Sequence, residues 1–243
     1  MYTFNSRVRY SEVDSNARLT LDGIINYMQD CTNFQSEDLG VGLEFHKEKN
    51  AYSYRCIRNL RNVSQNTVVI DEYPKMGENI TIGTQSFGYE KMFGHRNFLI
   101  TKEDGSRVAI ANSLWVLMDL KKNRPRIVTP EIGDVYGKHK PLEMEYAPRK
   151  IKMPENVVKG REFVVQESQL DTNHHVNNGQ YVRMAMNQIE LPKVSELRVE
   201  YKKQALLGDM IVPFICRQEN KTFVSLDDVD GKAYAVVQFN HSR

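Results

Sequence analysis

The sequence predicts an α+β fold in which a long helix wrapped by a curved antiparallel sheet occurs twice. Three observations lead there. Two segments 157 residues apart, "VDSNARLTLDGII" (13–25) and "LDTNHHVNNGQYV" (170–182), align at one offset: Asp14 falls on Asp171, Asn16 on Asn173, Leu19 on Val176 and Ile24 on Tyr181. Both segments run on into helical patterns. After each helix the pattern turns to strands, and helix and strands segregated along the chain indicate α+β rather than α/β.

The first helix is expected from near Thr20, with Ile24, Met28 and Cys31 at i, i+4, i+7 and Ile25 beside them, to near Gly40, a good C-terminal residue. The second is expected from Asn177 or Asn178, either a good N-cap, with Tyr181, Ala185 and Ile189 at i, i+4, i+8, and to end before Pro192. Val182 and Met186 widen its apolar face, as in a helix largely enclosed by other structure. "HRNFLITKEDGSRVAIANSLWVLMDL" predicts a hairpin at Asp104-Gly105, with Val108, Ile110, Leu114, Val116 and Met118 on one parity, broken only by Asn112. "FVSLDDVDGKAYAVVQF" repeats the hairpin at Asp230-Gly231. "EYPKMGENITI" (72–82) and "EYKKQALLGDMIV" (200–212) each place Glu-Tyr ahead of a Gly-acidic pair and a strand, with insertions between them. The pattern is an old duplication.

Between the halves, residues 121–159 hold five of the eight prolines and ten basic residues against five acidic, a local +5 in a chain of net charge +2. Such a stretch is expected to run extended across the surface. The near balance of 33 basic and 31 acidic residues argues against a general nucleic-acid binder. Cys31, Cys56 and Cys216 are odd in number and widely spaced, which points to thiols in a reducing compartment rather than disulfides or a zinc site. The opening "MYTFNSRVRYSEVD" has no positive region followed by an apolar run, and no stretch nears 18 consecutive apolar residues. A cytoplasmic protein with no membrane partner is the expectation.

The chemistry is expected in "LDTNHHVNNGQYV". Asp171, Asn173 and His175 lie at i, i+2, i+4, which in an extended segment puts an acid, an amide and an imidazole on one face just before a helix start. Free backbone N–H groups and the positive end of the helix dipole add to them. These parts suit water attack on an activated carbonyl such as a thioester, whose thiolate leaves easily enough that no covalent nucleophile is required. A second reading stands beside it: Asx side chains cap helices and close turns, and both copies share the Asp and the Asn. The copies differ at Arg18 against His175, and only the imidazole can act as a base at neutral pH. No GxSxG elbow and no phosphate-cradling glycine loop occurs. His174 and His175 point apart if extended, and His46, His95, His139 and His241 are scattered, so no metal and no cofactor is expected.

Over nearly its whole length the chain resembles the acyl-acyl carrier protein (ACP) thioesterases of plant plastids and bacteria. The resemblance is carried by "YSEVDSNARLTLDGIINYMQD", "VVIDEYPKMGE", "ANSLWVLMDLKKNRPRIVTPEI", "LDTNHHVNNGQYV" and "LRVEYKKQALLGD", in that order. It implies a double hotdog fold: residues 1–128 a non-catalytic hotdog, 129–158 the connecting segment, and 159–243 the hotdog with the catalytic motif. It implies hydrolysis of fatty acyl-ACP by Asp171, Asn173 and His175. Where the family usually has an acidic residue, and plant members then a cysteine, this chain has Gln204 and Ala205, so neither a Glu base nor a Cys nucleophile stands there. The bacterial form is the better match, since no plastid transit segment is seen.

The mechanism expected is general-base attack by His175 on a water positioned by Asp171 and Gln204, with Asn173 and backbone N–H groups of Asn177, Asn178 and Gly179 holding the carbonyl. The acyl chain is expected against Ile24, Ile25 and Met28, and acidic ACP against the +5 segment. An acyl-CoA thioesterase and a non-catalytic acyl-binding hotdog are the alternatives. The sequence allows a homodimer without requiring one.

Overall fold

The computed structural model describes residues 1–42, 45, 51–52, 64–119, 124–172, 174–191 and 193–241. His46, Cys56, Lys121, Lys122, Asn173 and Pro192 lie outside these. Helix α1 spans Leu21–Asp38. Thr20 caps it, its Oγ1 accepting the Gly23 N–H at 3.1 Å. Past its end, Gly40 takes a φ of 70°, and the Val41 N–H returns to the Ser36 carbonyl at 2.9 Å. A side chain would be strained there, which is why the pattern stops at a glycine. A short α2 covers Pro130–Gly133, and α3 covers Asn178–Met186, capped by the Asn177 side chain. The second helix is shorter than its sequence pattern. After Met186 the Gln188 and Ile189 N–H groups reach only three residues back, so Ile189 packs on the core from a looser turn.

The first half contributes strands β1 (Tyr2–Arg7), β2 (Ala51–Tyr52), β3 (Ser64–Ile70), β4 (Asn79–Glu90), β5 (Phe93–Lys102), β6 (Arg107–Val116), β7 (Met118–Asp119) and β8 (Arg124–Pro125). The second contributes β9 (Val158–Lys159), β10 (Phe163–Val164), β11 (Val194–Tyr201), β12 (Met210–Arg217), β13 (Lys221–Asp227) and β14 (Ala233–His241). One continuous sheet runs β1-β4-β5-β6-β3-β11-β14-β13-β12, with β9 and β10 both on the outer edge of β12, and β2, β7 and β8 form a small separate sheet. Both predicted hairpins are present, turning at Gly105 (φ 81°) and Gly231 (φ 75°). Asp104 and Asp228 close them by accepting the N–H groups of Ser106 and of Asp230 and Lys232.

The two copies join where β3 and β11 pair antiparallel, Leu197 facing Val68 and Val199 facing Asn66. Leu197, Val68 and Val199 are fully buried in a core cluster that also takes in Ile24, Ile25, Met28 and Cys31 of α1 and Tyr181, Val182 and Ala185 of α3. In β6 the expected alternation is overridden. Val108 and Ala109, of opposite parity, both enter that core with Ala111, Trp115 and Leu117, whereas Val116 and Met118, on the parity the pattern picks out, pack with Met92 and Phe93 in a small separate cluster. Both faces of β6 are covered, so hydropathy alone does not say which faces the helix. The segment expected to run extended holds α2 and a following 3-10 turn at Asp134–Tyr136; from Gly137 to Val157 the chain has no helix or strand, and it is anchored by Ile151, which is buried and donates its N–H to Glu200 at 2.9 Å. No helix among the described residues is long and apolar enough to cross a membrane.

Because Leu197 fills the seam between the copies, Leu197→Ala is expected to lower the unfolding free energy by about 2–5 kcal/mol in urea denaturation, without separating the halves into two transitions.

Candidate active site

The repeated segment folds the same way in both copies, and its Asp is a structural part of it. In the first, Asp14 N–H donates to the Arg18 carbonyl at 2.8 Å, and the Asp14 carboxylate accepts the Asn16 and Arg18 N–H groups at 2.8 and 3.0 Å. In the second, Asp171 N–H donates to the His175 carbonyl at 2.7 Å, and the Asp171 carboxylate accepts the His175 N–H at 3.3 Å. The residue before each basic position takes a left-handed conformation, Ala17 with φ 56° and His174 with φ 60°. Asp171 and His175 therefore close a turn on one another, where the i, i+2, i+4 spacing allowed for an extended segment. The polar spacing arose from Asx-turn chemistry, which mimics strand alternation over so short a stretch.

Beyond the turn the copies stay in register. Thr20 N–H donates to the Glu12 carbonyl and Asn177 N–H to the Gln169 carbonyl, each at 2.9 Å, before the two helices begin. Leu19 N–H donates to Pro74 and Val176 N–H to Ala205, with Gly77 (φ 85°) and Gly208 (φ 83°) closing the following turns. This pairing makes Tyr73 the counterpart of Gln204 and Pro74 the counterpart of Ala205.

At those positions the first copy is filled. Arg18 is exposed and its guanidinium donates to the Tyr73 carbonyl at 3.0 Å, while the Tyr73 hydroxyl crosses to the Val194 carbonyl at 2.9 Å. In the second copy His175 and Gln204 are buried, 9% and 6% exposed. The Tyr181 hydroxyl accepts the Ala205 N–H at 2.8 Å and so fixes the chain that carries Gln204. Its counterparts are Ile24, with no hydroxyl, and Pro74, with no N–H, so the two differences compensate. Burial pushes the Tyr181 hydroxyl well above its ordinary pKa range, which keeps it neutral.

A cleft of about 230 Å³ runs between the copies, lined by Gln29, Asp30 and Asn33 of α1 and by Leu170, Asp171, Thr172, Val176, Asn177 and Asn178. The helices can approach because Gly179 has no side chain: a Cβ there would meet the Asn26 Oδ1 at 2.6 Å. Arg183 pairs with Asp22 at 2.7 Å across the same crossing. The backbone donors expected at the helix start separate here. Gly179 N–H is held by the Asn177 side chain at 2.8 Å and Asn177 N–H by Gln169. Neither is open to a substrate carbonyl, which corrects that expectation for Asn177 and Gly179; among the described residues, Asn178 N–H carries no hydrogen bond. Ile24, Ile25 and Met28 are core residues and do not line this cleft.

The turn, the buried imidazole and the cleft occur in a chain matched by the family models of the acyl-ACP thioesterase N-terminal domain, over residues 1–136, and C-terminal domain, over 152–238. The chain belongs to the acyl-ACP thioesterase family. Two curated relatives are the chloroplastic palmitoyl-acyl carrier protein thioesterases of Gossypium hirsutum, 26% identical over 220 residues, and of Arabidopsis thaliana, 23% identical over 216. These alignments cover 84% and 82% of this chain but 52% and 51% of the relatives, so the chain spans about half the length of the curated relatives it matches. Among solved structures, an acyl-ACP thioesterase from Bacteroides thetaiotaomicron superposes with a TM-score of 0.83 at 21% identity, covering 98% of this chain and 96% of that one. A putative oleoyl thioesterase from Lactobacillus plantarum superposes with 0.84 at 21%, covering 100% and 97%. The 12:0-ACP thioesterase from Umbellularia californica superposes with 0.80 at 16%, covering 98% and 96%. The shared fold is the double hotdog expected from the duplication.

Sequence reading missed the polar stripe Gln29, Asp30 and Asn33, which helical spacing places beside the apolar face, and the Tyr181–Ala205 clamp. Extending the internal alignment to Pro74 and Ala205 exposes the second. Tyr181→Phe leaves the buried Ala205 N–H without its acceptor, and is expected to cost about 1–3 kcal/mol in thermal or denaturant unfolding.

Proposed function

We propose that this chain hydrolyses the thioester of fatty acyl-ACP, releasing a free fatty acid and ending chain elongation. Membership of the acyl-ACP thioesterase family over both halves is the observation that carries this reading. The site's chemistry agrees with it. The Asp171 turn fixes the backbone of His175, and the imidazole is the proton-transfer group at the reacting centre. Asn178 N–H, at the positive end of α3, faces the carbonyl oxygen as negative charge develops on it. Gln204 holds water through hydrogen bonds and cannot itself take a proton.

Carrier protein is acidic, and Lys138, Lys140, Arg149, Lys150, Lys152 and Lys159 are all exposed along the connecting segment. That makes the segment the docking surface of this reading, and docking there should weaken as salt rises. The proposed location is the cytoplasm, in keeping with the unpaired Cys31 and Cys216.

The test measures free fatty acid release from one acyl chain carried on ACP and on CoA, by wild type and His175→Ala. Faster turnover on ACP and a loss of about 10²–10⁴ in His175→Ala are expected. Faster turnover on CoA would make it an acyl-CoA thioesterase. Acyl binding without hydrolysis would make it a binding protein.

A further inference from the structure

The cleft has two walls, and each carries a feature that the reading above leaves unused. On the α1 wall, Asp30 is half-buried and, among the described residues, its carboxylate makes no hydrogen bond or ion pair. Its neighbours Gln29 and Asn33 are committed to one another, Gln29 Nε2 donating to Asn33 Oδ1 at 3.2 Å. On the α3 wall, Asn178 is 7% exposed and its side-chain Oδ1 is buried with no hydrogen-bond partner among the described residues. Both residues line the one polar cleft, and neither acceptor has a protein donor among the described residues. Leaving a buried acceptor unmade costs about 1–3 kcal/mol, so the cleft calls for a molecule that donates twice. Water does so, and a water that donates both hydrogens to protein acceptors keeps its lone pairs for an electrophile.

The other carboxylate on the cleft, Asp171, is already used in closing its turn, and the place where the family usually has an acid holds Gln204. We propose that Asp30, supplied by the first half of the chain, is a catalytic general base that takes the proton of a water held between its carboxylate and Asn178 Oδ1. The inference rests on the thioesterase reading and divides between two residues the acid–base work that the sequence places on His175 alone. As the water oxygen bonds to the thioester carbon, one water proton passes to Asp30 and the carbonyl π pair moves onto oxygen beside Asn178 N–H. When that pair returns, the C–S bond breaks. The departing thiolate takes a proton from the His175 imidazolium, and the proton on Asp30 returns to His175 through solvent. Burial raises the Asp30 carboxyl above its usual range, with the nearby Arg9 opposing and Glu12 reinforcing the shift, which makes it the stronger base.

The experiment compares acyl-ACP hydrolysis by wild type, Asp30→Asn, Asp30→Ala and His175→Ala, with melting curves for each. Asp30→Asn is expected to lose about 10²–10⁴ in kcat while KM moves less than about threefold, because the amide can hold the water but not take its proton. Added formate is expected to restore part of the activity of Asp30→Ala and none to Asp30→Asn, a response that a packing defect would not give. If wild type is active and His175→Ala is not, but Asp30→Asn stays within about threefold of wild type, the inference is overturned and the thioesterase reading stands. Failure of formate to rescue Asp30→Ala also overturns it. Inactive wild type overturns both.

Discussion

A carboxylate that accepts backbone N–H groups just ahead of a helix, formed twice at an offset of 157 residues, fixes where both helices start and how each meets the sheet. Asp14 and Asp171 close turns that hand the chain to the Thr20 and Asn177 caps within three residues of the turn's end. Once the caps are set, the next residues of α1 and α3 enter the shared core, and the β3–β11 pairing makes one sheet of two. The site is a by-product of this placement. The same turn that orients α3 buries His175 and brings Asn178 to the cleft wall.

Duplication then allows the copies to diverge in chemistry while keeping geometry. Arg18 and Tyr73 direct their polar groups to backbone carbonyls, and the first turn carries no imidazole. Their counterparts His175 and Gln204 stay buried at the second turn, with Tyr181 supplying the acceptor that Ala205, unlike Pro74, requires. The first half is more than a prop, however. Its helix forms the opposite wall of the cleft, and in our reading its Asp30 supplies the carboxylate that Gln204 does not.

The duplication, both helix starts, both hairpins and the seat of the site at 170–178 were legible in the sequence, because capping residues, Asp-Gly turns and helical periodicity are local signals. What was not legible is non-local. The buried face of β6 depends on which sheet face the helix covers, and Ala109 and Trp115 against Val116 and Met118 cannot declare that from hydropathy. The shortness of α3 depends on the i→i+3 turn after Met186. Asp30 lies 141 residues from Asp171 in the chain, and only the crossing of α1 and α3 at Gly179 brings their walls together. Alternate spacing of polar residues fits both a strand and an Asx turn, so the spacing alone left open the turn that Asp171 and His175 close.

The central claim is that one turn, built twice, is scaffold in the first copy and scaffold plus chemistry in the second. Arg18→Ala and His175→Ala test it as a matched pair, since each keeps the carboxylate turn and removes only the side chain that differs between the copies. With acyl-ACP hydrolysis and melting midpoint measured side by side, the account predicts near wild-type melting for both, and loss of hydrolysis in His175→Ala alone. Equal loss in both variants, or undiminished hydrolysis in His175→Ala, would contradict it.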